Sequence, residues 1–344
     1  MTSTYRQDEM EHFAPHPSAV FEGYYSKFTL PSGASLALII CTVPKAPKRP
    51  HMVSFTYVPQ DASKIFQKEL WVDNLEFIPT GPKNAFQLRV PGIGYMKCDP
   101  DSTTHYKLEH ADFTFHGTTK TRTPWAEHKD TPEGLLVYLP IPLHWHVHSL
   151  GSDCAFDLHI PSHPDLPKVD TAGTAFVHQE KNWAQSFPSA HIWIQARDGD
   201  RGFCCAGGQV LGAEAYLLGY RNADRNIDFR PPFALKALGI APFMAVKVDW
   251  ETRSFELSVQ SFRQKIVVRA DAPKGSFFSL SSPFPEGHRE NFLGQSFQAT
   301  LSIEVYESGW FGPWELVHED RFEGAALEYG GQYYPLAGSD KKRN

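Results

Sequence analysis

The stretch SFQATLSIEVY, residues 296–306, decides the fold. Phe297, Ala299, Leu301, Ile303 and Val305 fall at every second position, with Gln298, Thr300, Ser302 and Glu304 between them. Successive side chains of an extended chain point to opposite sides, so a period of two marks a strand with one apolar and one polar face. SFELSVQSF (254–262) repeats the pattern with Phe255, Leu257 and Val259, and AFQLRV (85–90) with Phe86, Leu88 and Val90. The 27 prolines and 25 glycines are spread throughout, as many turns between short strands require. Together these features predict an all-β chain of antiparallel sheets or barrels. One segment reads differently: DASKIFQKELW (61–71) has the look of a short helix capped by Asp61 or Ser63.

A chain of 344 residues is long enough for two domains, each with its own core. PSHPDLPKVDTAG (161–173) carries three prolines and little apolar content, and it splits the chain nearly in half. It places a domain boundary near residue 170, giving domains 1–170 and 171–344. The segment 116–134 reads as less ordered than its surroundings.

Composition narrows the function classes. The net charge of −6 gives no reason to expect a nucleic-acid partner, which usually selects a basic surface. The 25 Phe, 13 Tyr and 8 Trp suit β-sheet cores, and they also suit an aromatic-lined cavity for a flat or apolar ligand. Five cysteines, with Cys204 and Cys205 adjacent, form neither a disulfide framework nor a zinc knuckle. The first residues lack the apolar core of a signal peptide, and no run approaches the roughly 18 apolar residues of a membrane span. With no Asn-x-Ser/Thr sequon either, the expectation is a cytoplasmic protein without a membrane span. Oligomeric state is not readable from the sequence.

Two constellations carry candidate chemistry. In PLHWHVHSL (142–150), His144, His146 and His148 share one face of a strand and Trp145 and Val147 the other. Such a face could bind a metal, supply a pocket acid or base, or be a hydrogen-bonded structural surface. In FVHQEKNWAQSFPSAHIWIQA (176–196), Glu180, Lys181, Asn182 and Trp183 precede a Pro-containing turn. His191, Trp193 and Gln195 then alternate against Ile192 and Ile194. Glu180 and Lys181 point to opposite sides, and either could sit in a cavity mouth; alternatively Glu180, Asn182 and Trp183 peg an interdomain corner through hydrogen bonds. The chain has no Gly-x-Ser-x-Gly elbow, no phosphate loop and no dinucleotide fingerprint, which disfavours nucleotide-dependent chemistry.

HQEKNWAQSFPSAHIWIQA (178–196) resembles the signature of the tocopherol cyclase family, in which a Glu-Lys-Asn-Trp cluster precedes a Phe-Pro turn and a strand. VFEGYYSKFTLP (20–31), MVSFTYV (52–58), LPIPLHWHVHSLGS (139–152), SFQATLSIEVYE (296–307) and FEGAALEYGG (322–331) resemble further family segments in the same order, with His144 and Trp145 matching. The resemblance implies two lipocalin-like antiparallel barrels. It also implies a cofactor-independent cyclase, in which a phenolic oxygen adds to an alkene between aromatic walls. The chain departs from the family at Ala184, Gln185 and Ser186, where glycines usually follow the cluster, and at Ala196, where a cysteine is usual. His146 and His148 also differ from plant members. These departures point to a divergent, microbial secondary-metabolism member with its own substrate.

The expectation is therefore a cyclase or pericyclase forming a chroman or dihydropyran on a prenylated phenol or a polyketide–terpenoid. The closure would be acid-assisted phenol addition or hetero-Diels–Alder addition of an ortho-quinone methide. His144 and Glu180 are the expected proton-handling groups. Trp145, Asn182, Trp183, His191, Trp193, Gln195 and His146 are expected to bind a small apolar or aromatic substrate. No cofactor and no metal are called for. Other classes compete: a non-catalytic lipid- or terpenoid-binding calycin, a hydratase or isomerase acting on a terpenoid alkene, and a metal enzyme on the three-histidine face.

Overall fold

The computed structural model describes residues 12–82, 85–126, 131–309 and 312–335. The first sheet contains β1 (Phe21–Thr29), β2 (Ser35–Thr42), β3 (His51–Val58), β4 (Phe66–Val72), β5 (Glu76–Pro79), β6 (Phe86–Val90), β7 (Gly94–Cys98), β8 (Thr104–His110), β9 (Phe113–Thr119), β10 (Leu143–His159) and β11 (Ala172–Ala184). The second contains β12 (Ala190–Asp198), β13 (Arg201–Val210), β14 (Ala213–Arg221), β15 (Asn226–Phe229), β16 (Leu235–Lys236), β17 (Met244–Asp249), β18 (Ser254–Gln260), β19 (Gln264–Asp271), β20 (Phe278–Phe284), β21 (Gly287–Glu307) and β22 (Glu315–Gly331). The fold is all-β and antiparallel, as the alternation of apolar residues requires, and it forms the two lipocalin-like domains that the resemblance implies.

The first sheet runs β4-β3-β2-β1-β11-β10-β9-β8-β7-β6-β5. Its strands turn Phe28, Leu38, Phe55, Phe86, Phe113, Phe115 and Val177 toward one core. The second sheet runs β15-β14-β13-β12-β22-β21-β19-β18-β17, with β16 beside β14 and β20 beside β21. Its core holds Ile192, Ile194, Phe255, Leu257, Val259, Ala299, Leu301, Ile303 and Val305. The alternation that reads as strand in 254–262 and 296–306 thus points inward over nearly its whole length. Phe297 is buried outside that core, where β21 shifts register against β22 between Ser296 and Ala299.

Two compact units result: residues 1–186 with 283–288, and residues 187–282 with 289–344. The Pro-rich stretch 161–173 lies inside the first unit, because β11 runs back between β1 and β10. Asp170, fully buried, ties that stretch to the sheet. It accepts from the Ser32 backbone N–H (3.1 Å), the Ser32 hydroxyl (2.5 Å) and the Tyr57 hydroxyl (3.2 Å).

The expected helix over 61–71 is instead one 3-10 turn, Ala62–Lys64, followed by β4. Asp61 does cap the turn, accepting from Ser63 N–H at 3.1 Å. Pairing of Phe66–Val72 along β3 overrides the local helical preference. The 116–134 segment is also more regular than expected: 116–119 lie in β9, and Trp125, Thr131 and Glu133 are buried. Residues 127–130 fall outside the described set. All five cysteines are buried thiols.

Candidate active site

Strand pairing sets the first site. Glu22, Tyr24, Ser26 and Phe28 of β1 lie directly opposite Trp183, Lys181, Gln179 and Val177 of β11. Direct partners share a face, and Phe28 and Val177 belong to the core, so this whole row faces the interior. Deep in it, Gln179 donates to the Thr104 (3.0 Å) and Tyr106 (2.8 Å) hydroxyls. At one end it becomes charged. The Lys181 ammonium pairs with the Glu22 carboxylate and donates to the carbonyls of Ala14 (2.7 Å) and Phe13 (3.4 Å). It also lies 3.3 Å from the Tyr24 hydroxyl and 3.0 Å from His16 Nδ1.

A buried ion pair persists only when its other protons and lone pairs are also met. Here the Phe13 and Ala14 carbonyls serve the ammonium, and the His16 backbone N–H serves the carboxylate at 3.0 and 3.1 Å. Burial alone would raise the Glu22 carboxyl, but the Lys181 charge and the hydrogen bonds from His16 and Lys181 hold it below the usual carboxylate range. Burial lowers the His16 imidazole, with its bond to Glu22 opposing and the Lys181 charge adding to the effect. Burial, reinforced by Glu22, keeps the Tyr24 phenol protonated.

His144 enters the same wall from β10, directly opposite Trp183. Its Nδ1 lies 2.9 Å from Glu133 Oε2, while Glu133 Oε1 accepts the Trp145 backbone N–H at 2.6 Å. Glu133 is fully buried and stands at the start of the 3-10 turn Gly134–Tyr138. An ionised carboxylate can only accept, so in the neutral ring Nδ1 carries the proton and Nε2 keeps the lone pair. The Trp183 indole gathers three imidazoles: His16 at 4.0 Å and 1°, His144 at 4.9 Å and 12°, and His12 at 5.5 Å and 24°. His146 lies edge-on to His12 at 6.2 Å, and His148 stacks on Phe13 at 3.9 Å. Among the described residues no group of three or more His, Cys, Asp or Glu side chains is arranged to hold a metal ion.

The residues singled out in the sequence fall into three groups. His144, His146 and Trp183 line the interior wall. Glu180, Asn182 and Trp145 lie on the opposite face of the same sheet, where Glu180 Oε2 is 2.9 Å from His178 Nε2. Strand parity therefore separates His144 from Glu180, the two expected proton-handling groups. His191, Trp193 and Gln195 belong to the second unit, on the side of β12 away from the Ile192 and Ile194 core. There Glu328 holds His191 Nε2 (2.8 Å) and accepts from Gln295 Nε2 (3.0 Å). Gly330 lets the His191 ring lie on the backbone, since a Cβ there would sit 1.8 Å from His191 Cε1.

Sequence reasoning passed over Glu133, Glu22, His178 and Glu328. Two of these were signalled: Glu22 occupies a core-parity position in β1, and His178 is in step with Glu180. Glu133 and Glu328 lie 11 and 137 residues from their histidines and gave no local signal.

No family model matches the chain, and no curated protein matches its sequence. Solved structures do match its fold. CghA superposes with a TM-score of 0.60 at 12% identity, covering 92% of each chain. CghA crystallised with Sch210972 superposes at 0.58 and 13%, covering 90% of this chain and 88% of that one. Kievitone hydratase from Nectria haematococca gives 0.56 at 9% identity, over 96% and 93% of the two chains. An AttH-like protein from Nitrosomonas europaea gives 0.54 at 11%, over 96% and 97%. None of these is named a tocopherol cyclase. At such identities the likeness establishes the architecture, and the chain shares the two-domain, lipocalin-like all-β fold of these proteins.

Proposed function

We propose that the protein is a cofactor-independent cyclase that forms an oxygen heterocycle, a chroman or dihydropyran, on a prenylated phenol or polyketide–terpenoid. The observation that carries this reading is the Glu133–His144 dyad stacked on Trp183 at a buried, aromatic wall. Glu133 positions the ring and His144 Nε2 handles the proton. Trp183 supplies a flat wall that packs a planar substrate and stabilises developing positive charge.

Phenol addition forms one C–O bond, consumes one C=C bond and gives an isomer. Cycloaddition forms one C–O and one C–C bond between a quinone methide and an alkene, giving an isomer when both lie in one molecule and an adduct when they do not. Neither route exchanges electrons with a cofactor. Of the two routes, cycloaddition suits these groups better. An imidazolium is a far weaker acid than protonation of an isolated alkene requires. Taking a phenolic proton at Nε2 of the neutral ring, and then donating that N–H as one hydrogen bond to a quinone-methide carbonyl, lies within the range of an imidazole.

The same dyad would serve a hydratase, with Nε2 activating water, and the fold shared with kievitone hydratase gives that second reading its support. Incubation with prenylated quinols and ortho-quinone-methide precursors in water enriched in ¹⁸O separates the two. An unlabelled isomer supports ring closure, and a labelled hydrate supports hydration. A substrate bound stoichiometrically and returned unchanged supports a carrier and sinks both.

A further inference from the structure

The segment from His12 to His16 behaves as a ligand of the protein's own barrel. It contributes no strand, yet Phe13 is buried among core rings: flat on His148 at 3.9 Å and 13°, and edge-on to Tyr24 (5.4 Å) and Phe86 (5.6 Å). The His16 ring lies parallel to Trp183 at 4.0 Å. Between the two rings, the carbonyls of Phe13 and Ala14 receive hydrogen bonds from the Lys181 ammonium. The strap thus offers a flat ring to Trp183, a second ring to His148, and oxygen acceptors to a buried cation.

We propose that the wall formed by Lys181, Trp183 and His148 is a binding site for an aromatic ring bearing a phenol or carbonyl oxygen, and that this strap fills it until such a ligand displaces it. Trp183 and His148 would stack the rings, and Lys181 would hold the oxygen. This rests on the reading above, since it gives the substrate's aromatic head its place beside His144.

The strap competes in cis, so the apparent dissociation constant of a ligand rises by the inverse of the fraction of molecules with the strap undocked. Phe13→Ala with His16→Ala removes both rings and leaves the wall intact. The probe is 1-naphthol, which has the ring and the phenol but no alkene to cyclise. Isothermal titration should show the double variant binding it about ten-fold or more tightly than the unaltered protein. Adding Lys181→Met should abolish that gain. A folded double variant that binds no better, or a gain that survives Lys181→Met, overturns the proposal.

If the double variant does not fold, the unaltered protein still decides. The His16 N–H is protected by its bond to Glu22. Saturating 1-naphthol should speed its hydrogen exchange about ten-fold or more, and unchanged protection refutes displacement. A strap that yields to naphthol while no quinol turns over leaves this inference standing and sinks the proposed reaction. Turnover with an immovable strap does the reverse.

Discussion

Glu133→Gln tests the dyad with little disturbance of the fold. The carboxylate accepts two hydrogen bonds, from the Trp145 N–H and from His144 Nδ1, and it is fully buried. A hydrogen bond to a charged group contributes roughly 1.5–3 kcal/mol, so Glu133→Ala, which loses both, should cost about 3–6 kcal/mol. Glu133→Gln keeps the volume and leaves an amide oxygen for Trp145, so its cost should be about 1–2 kcal/mol. Its amide nitrogen then faces His144 and donates. Nδ1 must become the acceptor, and the ring proton moves to Nε2. The nitrogen aimed at chemistry thereby changes from acceptor to donor. Loss of one positioned acid–base group lowers kcat/KM by about 10²–10⁴-fold, or ~3–5 kcal/mol of barrier. Imidazole ¹⁵N shifts report the tautomer without any substrate, and kcat/KM reports the consequence. A Glu133→Gln protein with an unchanged His144 tautomer and full turnover would show that Glu133 does not set the ring.

Other consequences follow from the same geometry. Lys181→Met strands the Glu22 carboxylate in the interior and should cost about 3–5 kcal/mol, whereas Lys181→Met with Glu22→Gln should recover much of that loss; urea midpoints measure both. Acidification should weaken the fold in two steps. The unfolded chain takes up protons that folded His16 and Glu22 resist, so stability present above the ordinary values of 6.5 and 4.5 is lost as pH falls below each; a urea midpoint flat from pH 7.5 to 4 would contradict this. Gly330→Ala pushes a methyl group into the His191 ring, and should cost roughly 1–3 kcal/mol while breaking the His191–Glu328 contact, seen as a shift of the His191 resonances. Leu301→Ala, at the centre of the second core, should cost about 2–5 kcal/mol by thermal melting, and a cost under 1 kcal/mol would argue against that core.

The period-two rows made the architecture readable, because a strand with one face in a core must alternate. Leu257, Val259, Leu301 and Ile303 all point where parity puts them. Proline density was less informative. It marks a break in secondary structure, not the end of a packed unit, and β11 returns to the first sheet after the 161–173 stretch. In the site, His144 and Trp183 come together because they are direct partners in regular parts of β10 and β11, a pairing that no single-strand period reveals. Parity separates Glu180 from His144 only once that pairing is known, since residues of paired strands either share a face or do not. Glu133 was unreadable because it reaches His144 from a short turn, and no period relates a turn residue to a strand. Glu22 was readable in principle: a carboxylate at a core-parity position needs a buried cation, and Lys181 at core parity is its complement.

A chain that closes an oxygen ring with its own side chains needs nothing added to turn over. The most direct test incubates the purified protein, with no added metal or nucleotide, with prenylated quinols and with ortho-quinone-methide precursors plus terpene alkenes, read by chiral chromatography with mass detection. The expected result is one enantiomer of an isomeric or adduct product, absent from a boiled control and lost with His144→Ala. A racemic background equal to the control, or an undiminished product from His144→Ala, would contradict it.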